Sequence, residues 1–292
     1  MKVGYTIWTW MQEEFGRTTP TEYAEKHFLE AIHSVSHLGY TELECFNFLV
    51  PMFEDKPEEL KSILAENGLE LVNLYHTYYE DDVQEYLDLG ERTCKLLKAC
   101  GAKYINVQGN IWHDEPMVRG INKPSIENYA KVFTQMGEVS KKYGIKTLLH
   151  PHSNTSLFHE DEIDYFLSIT DRDLIGLTMD TAHTTLAGMD AEKAFDKYGE
   201  YIHYVHLKDL DPNPNAHLEW PMKRFCALGQ GSVDFKGVIR SLKKHNYDGV
   251  LCVEVDYPLV CNYETAMFSR NYIRDVPVSY THLCQRAWKR RP

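Results

Sequence analysis

The strongest constraint in this sequence is a repeated junction: a polar, helix-periodic stretch ends in glycine, and an apolar run follows at once. Gly39-Tyr-Thr-Glu-Leu-Glu44, Gly68-Leu-Glu-Leu-Val-Asn-Leu-Tyr-His76, Gly101-Ala-Lys-Tyr-Ile-Asn-Val-Gln108 and Gly144-Ile-Lys-Thr-Leu-Leu-His150 all have this form. Glycine can take the left-handed conformation that ends a helix, so each junction reads as helix, cap, strand. Further strands are expected at Lys2–Trp8, Ile175–Asp180, Ile202–His206 and Val250–Glu254, which makes eight. The intervening helices are expected at Thr21–Leu38, Pro57–Asn67, Asp82–Cys100, Ser125–Tyr143, Glu160–Ile169, Ala191–Tyr198, Phe235–His245 and Tyr263–Arg274.

Strands that are mostly apolar on both faces and alternate with helices imply a parallel sheet covered by helices. Eight such units close into a single-domain (β/α)8 TIM barrel. The rival, an open doubly wound sheet, should carry a glycine-rich phosphate turn after its first strand, and none follows Trp8. At 292 residues and 43% hydrophobic content the chain can bury a full core as one such domain. The barrel is assigned residues 1–275, and Val276–Pro292, which lacks a clear period, is read as a tail of unknown role. A formal net charge of −12 argues against a nucleic-acid backbone as partner. No run of about 18 apolar residues suits a membrane span. Seven cysteines without C-x-x-C spacing, and no leader-like N-terminus, point to a reducing cytoplasm.

In such a barrel chemistry sits at the C-terminal ends of the strands. Strands five to eight end in His150, Asp180, His206 and Glu254, a donor set suited to one divalent metal. The His150-Pro-His152 pair leaves a choice. His150 is favoured as ligand with His152 above it, towards substrate, and the reverse order stays open. His183, three residues beyond Asp180, is expected to orient a ligand or substrate hydroxyl, or to make a capping contact at a helix start. Lys208 beside His206 is expected to have a lowered pKa and to do acid–base work, with an ion pair to Asp209 as the alternative. Arg224, ahead of the turn Leu228-Gly-Gln-Gly231, would pin substrate or fix its own loop. Glu44, His76 and Gln108 end strands two to four, and Trp8, Trp10, Phe46, Tyr75, Tyr78 and Trp112 gather near the same rim. Polar groups beside aromatics suit a polyol, so Trp8, Glu44, His76, Gln108 and Arg224 are the expected substrate contacts.

Asp180-Thr-Ala-His183, His206-Leu-Lys-Asp209, Leu228-Gly-Gln-Gly-Ser-Val-Asp-Phe235 and Val253-Glu254 resemble the xylose-isomerase-like barrels of sugar phosphate isomerases and epimerases. The likeness runs from Lys2 to about Arg274. It implies that Asp180, His206 and Glu254 bind Mn2+ or a similar ion, with Co2+, Mg2+ and Zn2+ as alternatives. Those enzymes carry Glu where this chain has His150. The His-Pro-His pattern with His206-Leu-Lys-Asp209 is closer to inosose dehydratases and to the catalytic subunit of C-glycoside deglycosidases. The resemblance therefore implies a metal-dependent lyase acting on a keto-sugar or keto-polyol. His152 would be the base, and Lys208 or His183 would protonate the leaving group. With two His in place of one His and an extra Glu, the metal keeps less anionic compensation and is a stronger Lewis acid. The alternatives are an isomerase or epimerase of a free ketose, the endonuclease branch of the superfamily, and a non-catalytic sugar-binding barrel. The expected partner is a small carbohydrate, and a homo-oligomer or a small accessory subunit is left open.

Overall fold

The computed structural model describes residues 1–12, 21–111, 120–217, 220–258 and 260–275. Eight parallel strands close into a barrel: β1 (Lys2–Thr6), β2 (Glu42–Phe46), β3 (Glu70–Thr77), β4 (Tyr104–Gln108), β5 (Lys146–Leu149), β6 (Ile175–Asp180), β7 (Ile202–Leu207) and β10 (Val250–Val253). A separate two-stranded ribbon, β8 (Asp209–Leu210) and β9 (Phe225–Cys226), lies between the last two. The ring closes where β10 pairs with β1, Lys2 beside Val250 and Tyr5 beside Val253. The helices are α1 (Trp8–Met11), α2 (Thr21–His37), α3 (Leu49–Phe53), α4 (Pro57–Glu66), α5 (Val83–Cys100), α6 (Lys123–Lys141), α7 (Glu160–Ser168), α8 (Thr181–Leu186), α9 (Ala191–Lys197), α10 (Phe235–Lys244) and α11 (Asn262–Asp275).

The capping glycines behave as their chemistry demands. Gly39, Gly68, Gly101 and Gly144 have φ of 83°, 67°, 77° and 73°. At the other end of α5 the Asp82 carboxylate accepts from the backbone of Gln84 and Glu85, at 2.7 and 3.0 Å. The strands are buried on both faces: every residue of β6 and β10 is buried. Tyr5, Leu43, Leu74, Ile105, Leu149, Leu177, Val205 and Leu251 join the helix faces in one apolar core.

The expected first strand is too long. It stops at Thr6, and Trp8 opens the short helix α1, which turns the indole over the barrel mouth. Three short helices escape the periodic pattern, because α1, α3 and α8 have only 4, 5 and 6 residues. Trp112 and the tail from Val276 lie outside the described residues. Among the described residues no helix is long and apolar enough to cross a membrane.

Candidate metal centre

Parallel register carries the four strand-end donors to one place. Asp180 on β6 pairs directly with His206 on β7, and His206 pairs with Cys252 on β10, two residues before Glu254. β5 and β10 end one residue before His150 and Glu254, but both backbones continue the ladder: His150 N–H donates to Val107 and Glu254 N–H to Leu207. One donor atom from each of His150, Asp180, His206 and Glu254 lies within 4.8 Å of all the others, and all four residues are buried. His206 Nδ1 is 3.2 Å from His150 Nε2, 3.0 Å from Glu254 Oε2 and 3.9 Å from Asp180 Oδ2.

This arrangement fits a cation. Lys208 Nζ approaches Glu254 Oε2 to 2.9 Å and Asp180 Oδ2 to 3.4 Å, but off the hydrogen-bonding direction, and both oxygens lack a hydrogen-bond donor. Burial would raise Asp180 and Glu254, but the Lys208 ammonium and the neighbouring histidines outweigh it and keep both low, hence ionised. Burial pushes His150 down to about 4, so its ring is neutral. Two imidazole and two carboxylate donors converging on one buried point, both carboxylates ionised, are what Mn2+, Co2+ or Zn2+ would satisfy.

Below these donors lies a polar layer inside the barrel. Glu44, expected to touch substrate, is fully buried and turned under His206, with its oxygens 3.0 and 3.1 Å from His206 Nε2. It is absent from the cavity wall. Glu44 Oε2 also accepts from Asn73 Nδ2 at 3.1 Å and Asn106 Nδ2 at 3.2 Å, and Thr178 donates to Asn106 Oδ1. A carboxylate on the far nitrogen of a histidine fixes which nitrogen faces a metal. Burial alone would lower His206; Glu44 and Glu254 together raise it well above its ordinary value.

Above the donors opens a cavity of about 600 Å³, walled by Trp8, Phe46, Tyr75, Gln108, His152, Glu254 and Asp256, among others. Trp8 stacks on Phe46 at 5.2 Å and donates its indole N–H to Glu254 Oε1 at 3.2 Å. Gln108 lines the cavity, as expected. His152 Nδ1 is 2.8 Å from the Ser153 carbonyl, which can only accept, so the proton sits there and Nε2 keeps its lone pair. Burial, with His150 and Lys208 nearby, pushes His152 down to about 3.

Three expectations need correction. Lys208 does not have a lowered pKa: burial acts in that direction, but Asp256, Glu254 and Asp180 raise it far above its ordinary value. Its Nζ is 3.0 and 3.2 Å from the Asp256 oxygens, so it is a buried, permanent cation. Its expected partner Asp209 instead holds the glycine turn, accepting from Gly229, Gly231 and Val233. A Cβ on Gly231 would lie 2.4 Å from Asp209 Oδ1, so that approach requires glycine. Arg224 is a loop pin: Nε and Nη2 donate to the Asp211 carbonyl at 3.1 and 2.7 Å, and the side chain is not on the cavity wall. His183 is buried behind His152, ring centres 4.0 Å apart, with Nδ1 accepting from Ser153 N–H and Nε2 unpartnered. Sequence reasoning missed Asp256. It lies two residues beyond Glu254 on the same side and lines the cavity, and only its i+2 spacing could have pointed to it. Burial raises Asp256 to about 7, against the pull of Lys208 and with the help of Glu254.

The profile of the xylose isomerase-like TIM barrel family matches residues 32–271. The chain belongs to this family. An inosose dehydratase of Clostridium botulinum (strain Alaska E43 / Type E3) is 26% identical over 302 residues, covering 94% of this chain and 97% of the relative. The crystal structure of the IOLI protein with a bound zinc atom superposes with a TM-score of 0.73 at 18% identity, covering 94% of this chain and 97% of that one. The probable 3-DHS dehydratase AsbF of Bacillus anthracis gives a TM-score of 0.74 at 14% identity, covering 95% of this chain and all of its own. At such identity the two structures speak for the fold.

Proposed function

We propose that this protein is a metal-dependent lyase that removes water from a keto-polyol such as an inosose. The observation that carries the reading is the convergence of four inward-facing donor atoms, from His150, Asp180, His206 and Glu254, on the floor of a cavity that His152 also lines. The near full-length likeness to a protein named inosose dehydratase supports it.

The four donors would hold the ion, Mn2+ foremost, with Co2+, Zn2+ or Mg2+ as alternatives. When bound, it supplies Lewis acidity where negative charge develops on the substrate carbonyl oxygen. His152 Nε2 takes the proton from the carbon beside the ketone. The electron pair of that C–H bond becomes a C=C bond as the hydroxyl on the next carbon departs with its own bonding pair. Asp256 is the cavity-wall group that can give that hydroxyl a proton, so water leaves. Lys208 holds Asp256 and Glu254 in place and stays charged throughout. His183, behind the wall, positions the 152–153 turn through Ser153 N–H. Trp8, stacked on Phe46, and Gln108 form the substrate wall. The same steps would expel an aglycone from a 3-keto-glycoside, and about 600 Å³ is within the roughly 300–1,000 Å³ of small-molecule sites.

Asp256 also gives an epimerase reading a second carboxylate beside Glu254. Solvent-deuterium exchange separates the two when run beside product formation. The lyase reading expects His152→Ala to lose exchange and elimination together, by about 10²-fold or more. Exchange at the wild-type rate in that variant would move the base to Glu254 or Asp256.

A further inference from the structure

Asn47 follows β2 between Phe46 and Phe48 and lines the cavity. Its Nδ2 lies 3.0 Å from His76 Nδ1, while His76 Nε2 lies 2.8 Å from the backbone carbonyl of Tyr86. A carbonyl can only accept, so Nε2 carries the imidazole proton. The ring is buried and stacked on Tyr86, centres 4.1 Å apart at 6°, and burial pushes it down to about 4, so it is neutral. Nδ1 then offers a lone pair, and the Asn47 group facing it must be the NH2. The backbone makes room for this device in the middle of α5. A Cβ on Gly90 would come within 2.9 Å of His76 Nε2 and 2.4 Å of Met136 Sδ.

The amide is therefore fixed in one sense, with Oδ1 as an acceptor that has no protein partner among the described residues. We infer that Asn47 is a specificity-determining residue that accepts a hydrogen bond from a substrate hydroxyl, and that His76 is the positioning residue that holds the amide in that sense. His76, expected to contact substrate directly, lines the same cavity with both ring nitrogens engaged, and the proposal gives it the positioning role. The inference rests on the keto-polyol reading and assigns one of its hydroxyls to a named atom.

Two measurements test it. Nitrogen-15 NMR of histidine-labelled protein should show His76 protonated at Nε2 and bare at Nδ1; a proton on Nδ1 would overturn the orientation. Calorimetry on the metal-loaded protein should then compare an inosose with its single-deoxy analogues. The wild type should bind one analogue about five- to ten-fold more weakly. Asn47→Ala should bind the parent more weakly by that factor and no longer distinguish that analogue. His76→Leu should reproduce this loss with metal affinity unchanged, and His76→Gln, which keeps an acceptor for Nδ2, should restore it. If Asn47→Ala ranks the analogues as the wild type does, the assignment is wrong while the substrate reading stands. If the wild type binds none of these polyols, the substrate reading falls first and takes this assignment with it.

Discussion

Replacing Glu44 by Gln changes one buried atom and should weaken metal binding from a position that never touches the metal. Glu44 Oε2 takes two side-chain amides, from Asn73 at 3.1 Å and Asn106 at 3.2 Å, and lies 3.1 Å from His206 Nε2, with Oε1 3.0 Å from the same nitrogen. A glutamine must keep its oxygen against the two amides, because the opposite sense would set its NH2 against both. That oxygen still accepts from His206 Nε2, but an NH2 replaces Oε1 beside the same nitrogen and the carboxylate charge is gone. The proton is then held less firmly on Nε2, and Nδ1, the atom turned to the other three donors, is a weaker ligand. Loss of such an outer partner typically costs 10–100-fold in metal affinity, about 1.4–2.7 kcal/mol, and the retained oxygen places Glu44→Gln near the lower end. Competition against a fluorescent chelator for Mn2+ and Zn2+ measures this directly, with circular dichroism to show that the barrel is intact. A folded Glu44→Gln protein with wild-type metal affinity would refute the tautomer argument.

Asp180→Ala should abolish metal binding and activity together, and it also removes the cap on α8, where Asp180 Oδ1 accepts from Ala182 at 2.7 Å and His183 at 2.8 Å, for about 1 kcal/mol of stability. Stoichiometric metal in that variant would show the ligand set to be wrong. His150→Glu should keep the metal, since Glu is a competent ligand, yet slow elimination because the added negative charge weakens the Lewis acid; faster turnover would contradict this. The metal-free protein should have a stability maximum near pH 6.5. His76 and His150 are held down to about 4 and His152 to about 3 by burial. The unfolded chain therefore takes up protons the fold refuses, and each of the three costs about 1.4 kcal/mol per pH unit below about 6.5 until its own folded value is reached; Asp256, raised to about 7, offsets one of them, because its folded carboxyl keeps a proton that the unfolded chain releases above about 4. His206 acts on the other side: its raised value contributes stability that is complete below about 6.5 and fades as pH climbs through the folded value. Chemical denaturation across pH 4.5–8.5 reads both limbs, and a flat profile would contradict these shifts.

The barrel was legible because its signals are periodic and repeated. Each expected outer helix lies within two residues of an observed one, since glycine caps and long apolar faces mark the boundaries. The strand-end donors were legible for the same reason: parallel register makes strand ends neighbours. What sequence could not reveal was direction. Glu44 and Glu254 both read as strand ends, yet β2 runs on to Phe46 and leaves Glu44 in mid-strand beneath His206, while Glu254 follows β10 and reaches the cavity. Lys208 sits beside a histidine in sequence, but three carboxylates from other segments fix its charge, and Asp256 escaped notice because its role depends on that long-range pair. Arg224 belongs to a loop whose conformation is set by its own contacts, which have no period to read.

The central claim is proton abstraction beside a ketone followed by loss of water, dependent on a metal at His150, Asp180, His206 and Glu254. The most direct test incubates the metal-loaded protein with an inosose, a 3-keto-glycoside and a free ketose in deuterium oxide and follows each by NMR. The account predicts an unsaturated product and released water or aglycone from a keto-polyol or keto-glycoside, with none after the metal is stripped and recovery when it is restored. Deuterium incorporation with return of an inverted sugar and no elimination, or unchanged turnover in the stripped protein, would contradict it.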